Sequence, residues 1–343
     1  MWRCKNGGMR HSPRAMYPRT ALFTALFDRV VRPSDELSDA GLQQARARVF
    51  PDRPPVAWIT GGVDRSVGIT YGTAPARDGY EVPLRIYRPR SVRDTDVDVP
   101  VVVFLHGGGF VQGNLVTYDP LCTHLATRVR AVVASVDYRL APEHRAPTAA
   151  HDCIDATAWL AGKGGVLRAD TTRLALCGDS AGGNLAAVVA QVLRDRGDSP
   201  VRHQALLYPG LDLTLSSRSL HELAGAPMLT LRTIRWCADH YAGARADRGD
   251  PALSPLLGNP AGLPPALIQT ADLDPLRDDG VRYADALRAA GVPVRHTNYV
   301  RVPHGFAMFP GAVPSGVQQR AELVGELRAQ LWPGNALPGA AAG

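Results

Sequence analysis

The chain reads as an α/β protein, a mostly parallel sheet covered by helices on both faces. Three observations carry this. Apolar runs alternate with helical patterns from about residue 80 to residue 331. The run 99–105 is nearly continuous rather than alternating, as strands buried on both faces require, and 131–137 reads as another buried strand. At 174–194 an apolar run meets Gly178-Asp179-Ser180-Ala181-Gly182 and then a helical pattern, so strand, tight turn and helix follow one another with a serine at the apex.

Taken in order, residues 1–20 hold five cations (Arg3, Lys5, Arg10, Arg14, Arg19) and no acid. The chain's net charge of +6 therefore sits mostly in this leader, and the remainder, near +1, gives no reason to invoke nucleic acid or an anionic membrane. Residues 1–19 are expected to be a disordered basic leader, with Met9 and Met16 as alternative starts. The apolar stretch 21–27 is too short for an export signal and runs into Asp28-Arg29. Residues 20–50 follow as loosely patterned cap helices, closed by Pro51, Pro54 and Pro55.

The catalytic body is expected over 51–332. Its strands are read at 80–87, 99–105, 131–137, 173–177, 204–208, 266–270 and 294–300. Its helices are read at 118–130, 149–161, 181–194, 276–290 and 317–331. Residues 213–250 interrupt the rhythm with helical patches and no strand, as an inserted cap would. The tail, 333–343, is small-residue filler, expected to be disordered. No apolar run approaches the length of a membrane span, so no stable membrane insertion is expected. Five scattered cysteines without a C-x-x-C pair suit reduced thiols and a cytoplasmic location, and no metal or cofactor site is expected.

The G-x-S-x-G turn holds its serine in a strained backbone conformation, where flanking side chains would collide with neighbouring strand or helix. Ser180 is thus the candidate nucleophile, and the following helix aims its first N–H groups at charge developing there. His106-Gly107-Gly108-Gly109-Phe110 follows the buried strand 99–105, and its bare backbone N–H groups fit an oxyanion site. A phosphate cradle would want Lys-Ser/Thr after the glycines, which Phe110-Val111-Gln112 does not supply.

Of ten histidines, His304 lies just past strand 294–300 and comes last, where the base of such a site belongs. His144 and His151 remain weaker candidates. The acid should follow strand 266–270. Asp274, before proline at the loop tip, is favoured and Asp272 is its rival, while Asp278 and Asp279 read as solvated first-turn residues of the next helix.

His106-Gly-Gly-Gly-Phe110, Asp137-Tyr-Arg-Leu-Ala-Pro-Glu143, Gly178-Asp-Ser-Ala-Gly-Gly-Asn184, Asp274-Pro-Leu-Arg-Asp278 and His304-Gly-Phe306 together resemble the hormone-sensitive-lipase-like (bacterial family IV) carboxylesterases. These motifs span roughly 80–310 in order. The resemblance implies an α/β-hydrolase fold with a helical cap and a cofactor-independent serine carboxylesterase acting on short-to-medium acyl esters. It further implies a catalytic set of Ser180, His304 and Asp274, and oxyanion N–H groups from Gly108, Gly109 and Ala181. Asp279 stands where many members carry glutamate. Family members are often dimers through a sheet edge, which leaves a homodimer open here. A deacetylase or amide hydrolase is the alternative within the enzymes. A non-catalytic ligand receptor on the same fold, as in plant gibberellin receptors, would lack the base histidine.

Overall fold

In the computed structural model, which describes residues 15–92, 98–197 and 199–333, the chain enters through three helices, α1 (Pro18–Val30), α2 (Asp39–Ala47) and α3 (Val56–Thr60). A hairpin of β1 (Val67–Pro75) and β2 (Glu81–Pro89) leads into β3 (Pro100–Leu105), α4 (Asp119–Leu125), β4 (Val132–Val136), α5 (Thr148–Ala161) and α6 (Gly164–Leu167). Then come β5 (Asp170–Asp179), α7 (Ala181–Asp195), β6 (Val201–Leu207), α8 (Arg218–Glu222) and α9 (Leu231–Ala242). The chain closes with β7 (Ala266–Leu273), α10 (Arg277–Ala289), β8 (Val294–Pro303) and α11 (Ser315–Leu331). The eight strands form one sheet in the order β1-β2-β4-β3-β5-β6-β7-β8. Among the described residues, the β1–β2 and β2–β4 pairings are antiparallel and the others parallel.

The continuous apolar strands feed two cores at once. Val101, Val103 and Leu105 of β3 face one core, with Ile154 of α5, Leu185 of α7 and Leu287 of α10. Val102 and Phe104 face the other, with Leu121 of α4 and Leu323 of α11. The two-residue period of a strand forces this division, and helices on both faces make every β3 position apolar.

The short helices α3 and α6 were not expected, and two further elements differ from expectation. Strand β1 has no sequence signal, since it carries Gly68 and Gly72 and is mostly exposed. Its state comes from pairing with β2, from Val67 opposite Pro89 to Pro75 opposite Glu81. The helix expected over 118–130 is α4 followed by a π-helical turn (Ala126–Arg130).

The 20–50 and 213–250 segments meet on the same side of the molecule. Asp35 accepts from Thr233 Oγ1 at 2.6 Å and pairs with Arg232 Nε at 2.7 Å, and Asp28 accepts from the Met228 N–H at 3.2 Å. Phe23 and Phe27 of α1 pack on Phe309, with ring centroids 5.0 and 5.3 Å away. The leader expected over 1–19 lies outside the described residues as far as 14. Its last part differs from expectation, because Pro18 and Arg19 already belong to α1 and Arg19 donates to the Gly311 carbonyl. The tail expected over 333–343 lies outside the described residues from 334 onward.

Candidate active site

Ser180 stands between the end of β5 and the start of α7 with φ 54° and ψ −118°, a left-handed value that a serine holds only under constraint. Two glycines make the turn possible. A Cβ on Gly178 would lie 2.3 Å from the Gly182 carbonyl oxygen, and one on Gly182 would lie 2.0 Å from that of Leu105. The serine is therefore lifted out of a turn whose two sides are in backbone contact.

The 106–113 loop runs alongside. Gly108 has φ 121°, and a Cβ there would lie 2.1 Å from the Gln112 carbonyl oxygen, so only glycine fits. The Gly107 N–H donates to Asp179 Oδ1 at 2.8 Å and to the Tyr118 hydroxyl at 3.0 Å. Asp179 thereby locks the glycine loop to the elbow. Its burial pushes the carboxyl up to about 6, against the pull of the Gly107 N–H. Among the described residues, the N–H groups of Gly108, Gly109 and Ala181 donate to no carbonyl or side chain. His106 is buried and stacked on Tyr138, with centroids 4.3 Å apart, and burial pushes its pKa down to about 4, so it is neutral.

The ends of β7 and β8 supply the rest. His304, directly after β8, places Nε2 2.9 Å from Ser180 Oγ and Nδ1 2.7 Å from Asp274 Oδ2. The tautomer that satisfies both contacts carries its proton on Nδ1. Asp274 is fully buried and its Oδ1 accepts the Leu276 N–H at 2.8 Å, which fixes the carboxylate plane. The Tyr208 ring meets the imidazole edge-on at 4.8 Å. Ser180, His304 and Asp274, brought from three strand ends, thus form one hydrogen-bonded line.

The other candidates stand elsewhere. Asp272 Oδ2 accepts the Arg301 N–H at 3.4 Å and does not reach His304. His144 is exposed, and among the described residues neither it nor His151 contacts Ser180. Asp278 is partly exposed beside Arg277, at 2.8 Å. Asp279 corrects the sequence reading: it is not solvated but 1% exposed. It accepts the N–H groups of Leu211 and Asp212 at 2.9 and 3.2 Å and the Ser217 hydroxyl, and so anchors the chain leaving β6.

Burial pushes the Asp279 carboxyl up to about 7, against the pull of Ser217 and the Leu211 N–H. Between about pH 4 and 7 the folded chain then binds a proton that the unfolded chain has released, so this group's contribution to stability falls as pH rises. Asp279→Asn is expected to gain stability relative to the native chain as pH rises from 4 to 7. Denaturant midpoints across that range check this, and a flat difference would refute it.

A cavity of about 1160 Å³ opens over Ser180, His304 and Gly108, with Phe27, Phe50 and Met228 on its walls. Among the described residues, no group of three or more His, Cys, Asp or Glu side chains could hold a metal ion. None of their helices is long and apolar enough to cross a membrane.

Sequence reasoning missed several supports of this site. Asp179 had a signal, its place inside the elbow motif. Tyr118 and Tyr208 had none, because each acts through a contact across the fold.

Known proteins share this fold. A family model described as the alpha/beta hydrolase fold matches residues 102–308. The chain is 45% identical over 247 residues to "Esterase LipI" of Mycobacterium tuberculosis, covering 71% of this chain and 77% of that protein. It is 40% identical over 252 residues to "Ethyl acetate hydrolase" of Pseudomonas putida, covering 73% and 79%. A hyperthermophilic esterase from Pyrobaculum calidifontis superimposes with a TM-score of 0.81 at 34% identity, over 92% of this chain and 99% of that one. The chain belongs to the hormone-sensitive-lipase-like (bacterial family IV) carboxylesterases of the α/β-hydrolase superfamily, and it is a carboxylic ester hydrolase.

Proposed function

We propose that the chain hydrolyses short-to-medium acyl esters of small molecules through an acyl-enzyme on Ser180. The observation that carries this is the hydrogen-bonded line from Ser180 through His304 to Asp274, beside three unengaged backbone N–H groups. His304 Nε2 takes the Ser180 proton as Oγ attacks the ester carbonyl. The N–H groups of Gly108, Gly109 and Ala181 receive the oxyanion, and the positive end of α7 adds to their field. His304 then protonates the departing alkoxide. Water, deprotonated by the same imidazole, releases the acid. Asp274 holds the Nδ1–H tautomer and stabilises the imidazolium between these steps.

The acyl preference is supported by the walls of the cavity, which are largely apolar, and by the kinship with a protein named for hydrolysis of ethyl acetate. The 20–50 and 213–250 segments serve as a cap, supplying Phe27, Phe50 and Met228 above the serine. A p-nitrophenyl ester series tests the substrate range. Turnover per KM is expected to peak between butyrate and octanoate and to fall sharply at palmitate. A maximum at palmitate, or amide hydrolysis outrunning ester hydrolysis, would replace this reading.

A further inference from the structure

Helix α2 reaches the glycine loop through one side chain. Arg46 Nε donates to the Val111 carbonyl at 2.7 Å, and its Nη2 to the Ala141 carbonyl at 2.5 Å. Val111 and Ala141 are both fully buried. The same guanidinium grips Glu143 as a fork, Nη1 to Oε1 at 2.9 Å and Nη2 to Oε2 at 2.8 Å. Gln43, one turn earlier on α2, adds a bond to Glu143 Oε1 at 2.7 Å. The loop answers in kind, since Asn114 Nδ2 donates to the Arg46 and Arg48 carbonyls at 2.8 and 2.9 Å, at the C-terminal end of α2.

These contacts fall on the part of the loop that aims the glycines. The N–H groups of Val111 and Gln112 close a turn on the Gly108 carbonyl at 3.2 and 3.0 Å, and the Phe110 carbonyl accepts the Ala141 N–H at 3.0 Å. The orientation of the peptides at 108 and 109 is therefore set by where 110–112 is held. Arg46 is what holds 111 from the cap side. A planar guanidinium can serve two carbonyls and a carboxylate together, which a lysine ammonium cannot do at these positions.

We infer that Arg46 is a positioning residue for the oxyanion donors. Through Val111 it fixes the loop so that the Gly108 and Gly109 N–H groups face the position above Ser180, and it ties that geometry to the seating of α2. It touches no reacting atom and does not line the cavity. The inference rests on the roles proposed above for Ser180 and the glycine loop.

The test compares Arg46→Met and Arg46→Lys with the native enzyme on p-nitrophenyl butyrate and against an aliphatic trifluoromethyl ketone. The hydroxyl of Ser180 adds to that ketone's carbonyl carbon, its proton passes to His304, and the resulting alkoxide occupies the oxyanion site. Arg46→Met is expected to lower kcat roughly 10- to 100-fold with KM little changed, less than the loss of a whole donor costs. The ketone's inhibition constant should rise by the same factor, and Arg46→Lys should recover part of both. Native kcat and ketone affinity with a raised KM would overturn the inference and leave Arg46 as an anchor of the roof alone. If Arg46→Met does not fold, Arg46→Lys decides: intermediate losses in both readouts support the inference, and native values overturn it. Failure of the native enzyme itself to form the ketone adduct would instead overturn the proposed acyl-enzyme reading.

Discussion

Ser180→Ala is expected to lower kcat/KM for a butyrate ester by roughly 10⁶, equivalent to about 8 kcal/mol of transition-state stabilisation. The size follows from the loss of the nucleophile itself. His304 and the glycine loop remain, but the imidazole then faces a methyl group and has no hydroxyl to deprotonate. What survives is the oxyanion and binding contribution, worth about 10³–10⁴ over water in comparable hydrolases. The fold should tolerate the change, because alanine meets the same left-handed strain at φ 54° that serine already bears. Thermal unfolding measures the second statement and steady-state kinetics the first. In the native protein, an organophosphate should label Ser180 and nothing else, read by mass spectrometry of the digested adduct. Labelling at another residue, or a variant that keeps more than a trace of turnover, would remove Ser180 from the reaction.

Asp274→Asn is expected to cost about 10⁴ in kcat, while Asp272→Asn should cost less than about tenfold. The asymmetry comes from geometry. Asp274 Oδ2 lies 2.7 Å from His304 Nδ1, inside a fully buried pocket, and its other oxygen is committed to the Leu276 N–H. With Oδ still on that N–H, the asparagine turns its NH₂ toward the imidazole. Nδ1 must then accept, the proton moves to Nε2, and Ser180 loses its base. The buried negative charge that stabilises the imidazolium goes as well. Among the described residues the Asp272 carboxylate makes one long contact, to the Arg301 N–H at 3.4 Å, and its loss reaches the imidazole only through the backbone. Parallel kinetics on the two variants, with circular dichroism to confirm folding, separates them. Equal or reversed losses would make Asp272 the acid.

Much of the architecture was legible because its signals are local. The all-apolar β3 announces a strand covered on both sides, since a polar residue there would be buried and would need a partner. The elbow was legible because its turn closes within five residues, where a Cβ on Gly178 would lie 2.3 Å from the Gly182 carbonyl oxygen. Strand β1 was not legible. Its glycines and exposed face carry no period, and its extended state is imposed by the hydrogen-bond ladder with β2.

By itself, then, the sequence determined the sheet with its two helical layers, the strained serine at the elbow, the bare-backbone glycine loop, and the order in which serine, acid and histidine arrive. Each of these is enforced by sterics or periodicity within a few neighbouring residues. Only the tertiary structure decided which carboxylate meets His304, because Asp272 and Asp274 lie two residues apart and the turn after β7 selects between them. The structure alone also showed that Asp279 is buried, since its cover comes from 211–217, on the far side of α8 and α9 in the chain. The locks of Asp179 on Gly107 and of Arg46 on Val111 belong to the same class, spanning 72 and 65 residues. Contacts at such separations leave no periodic trace in the chain, because their partners become neighbours only once the strands have paired.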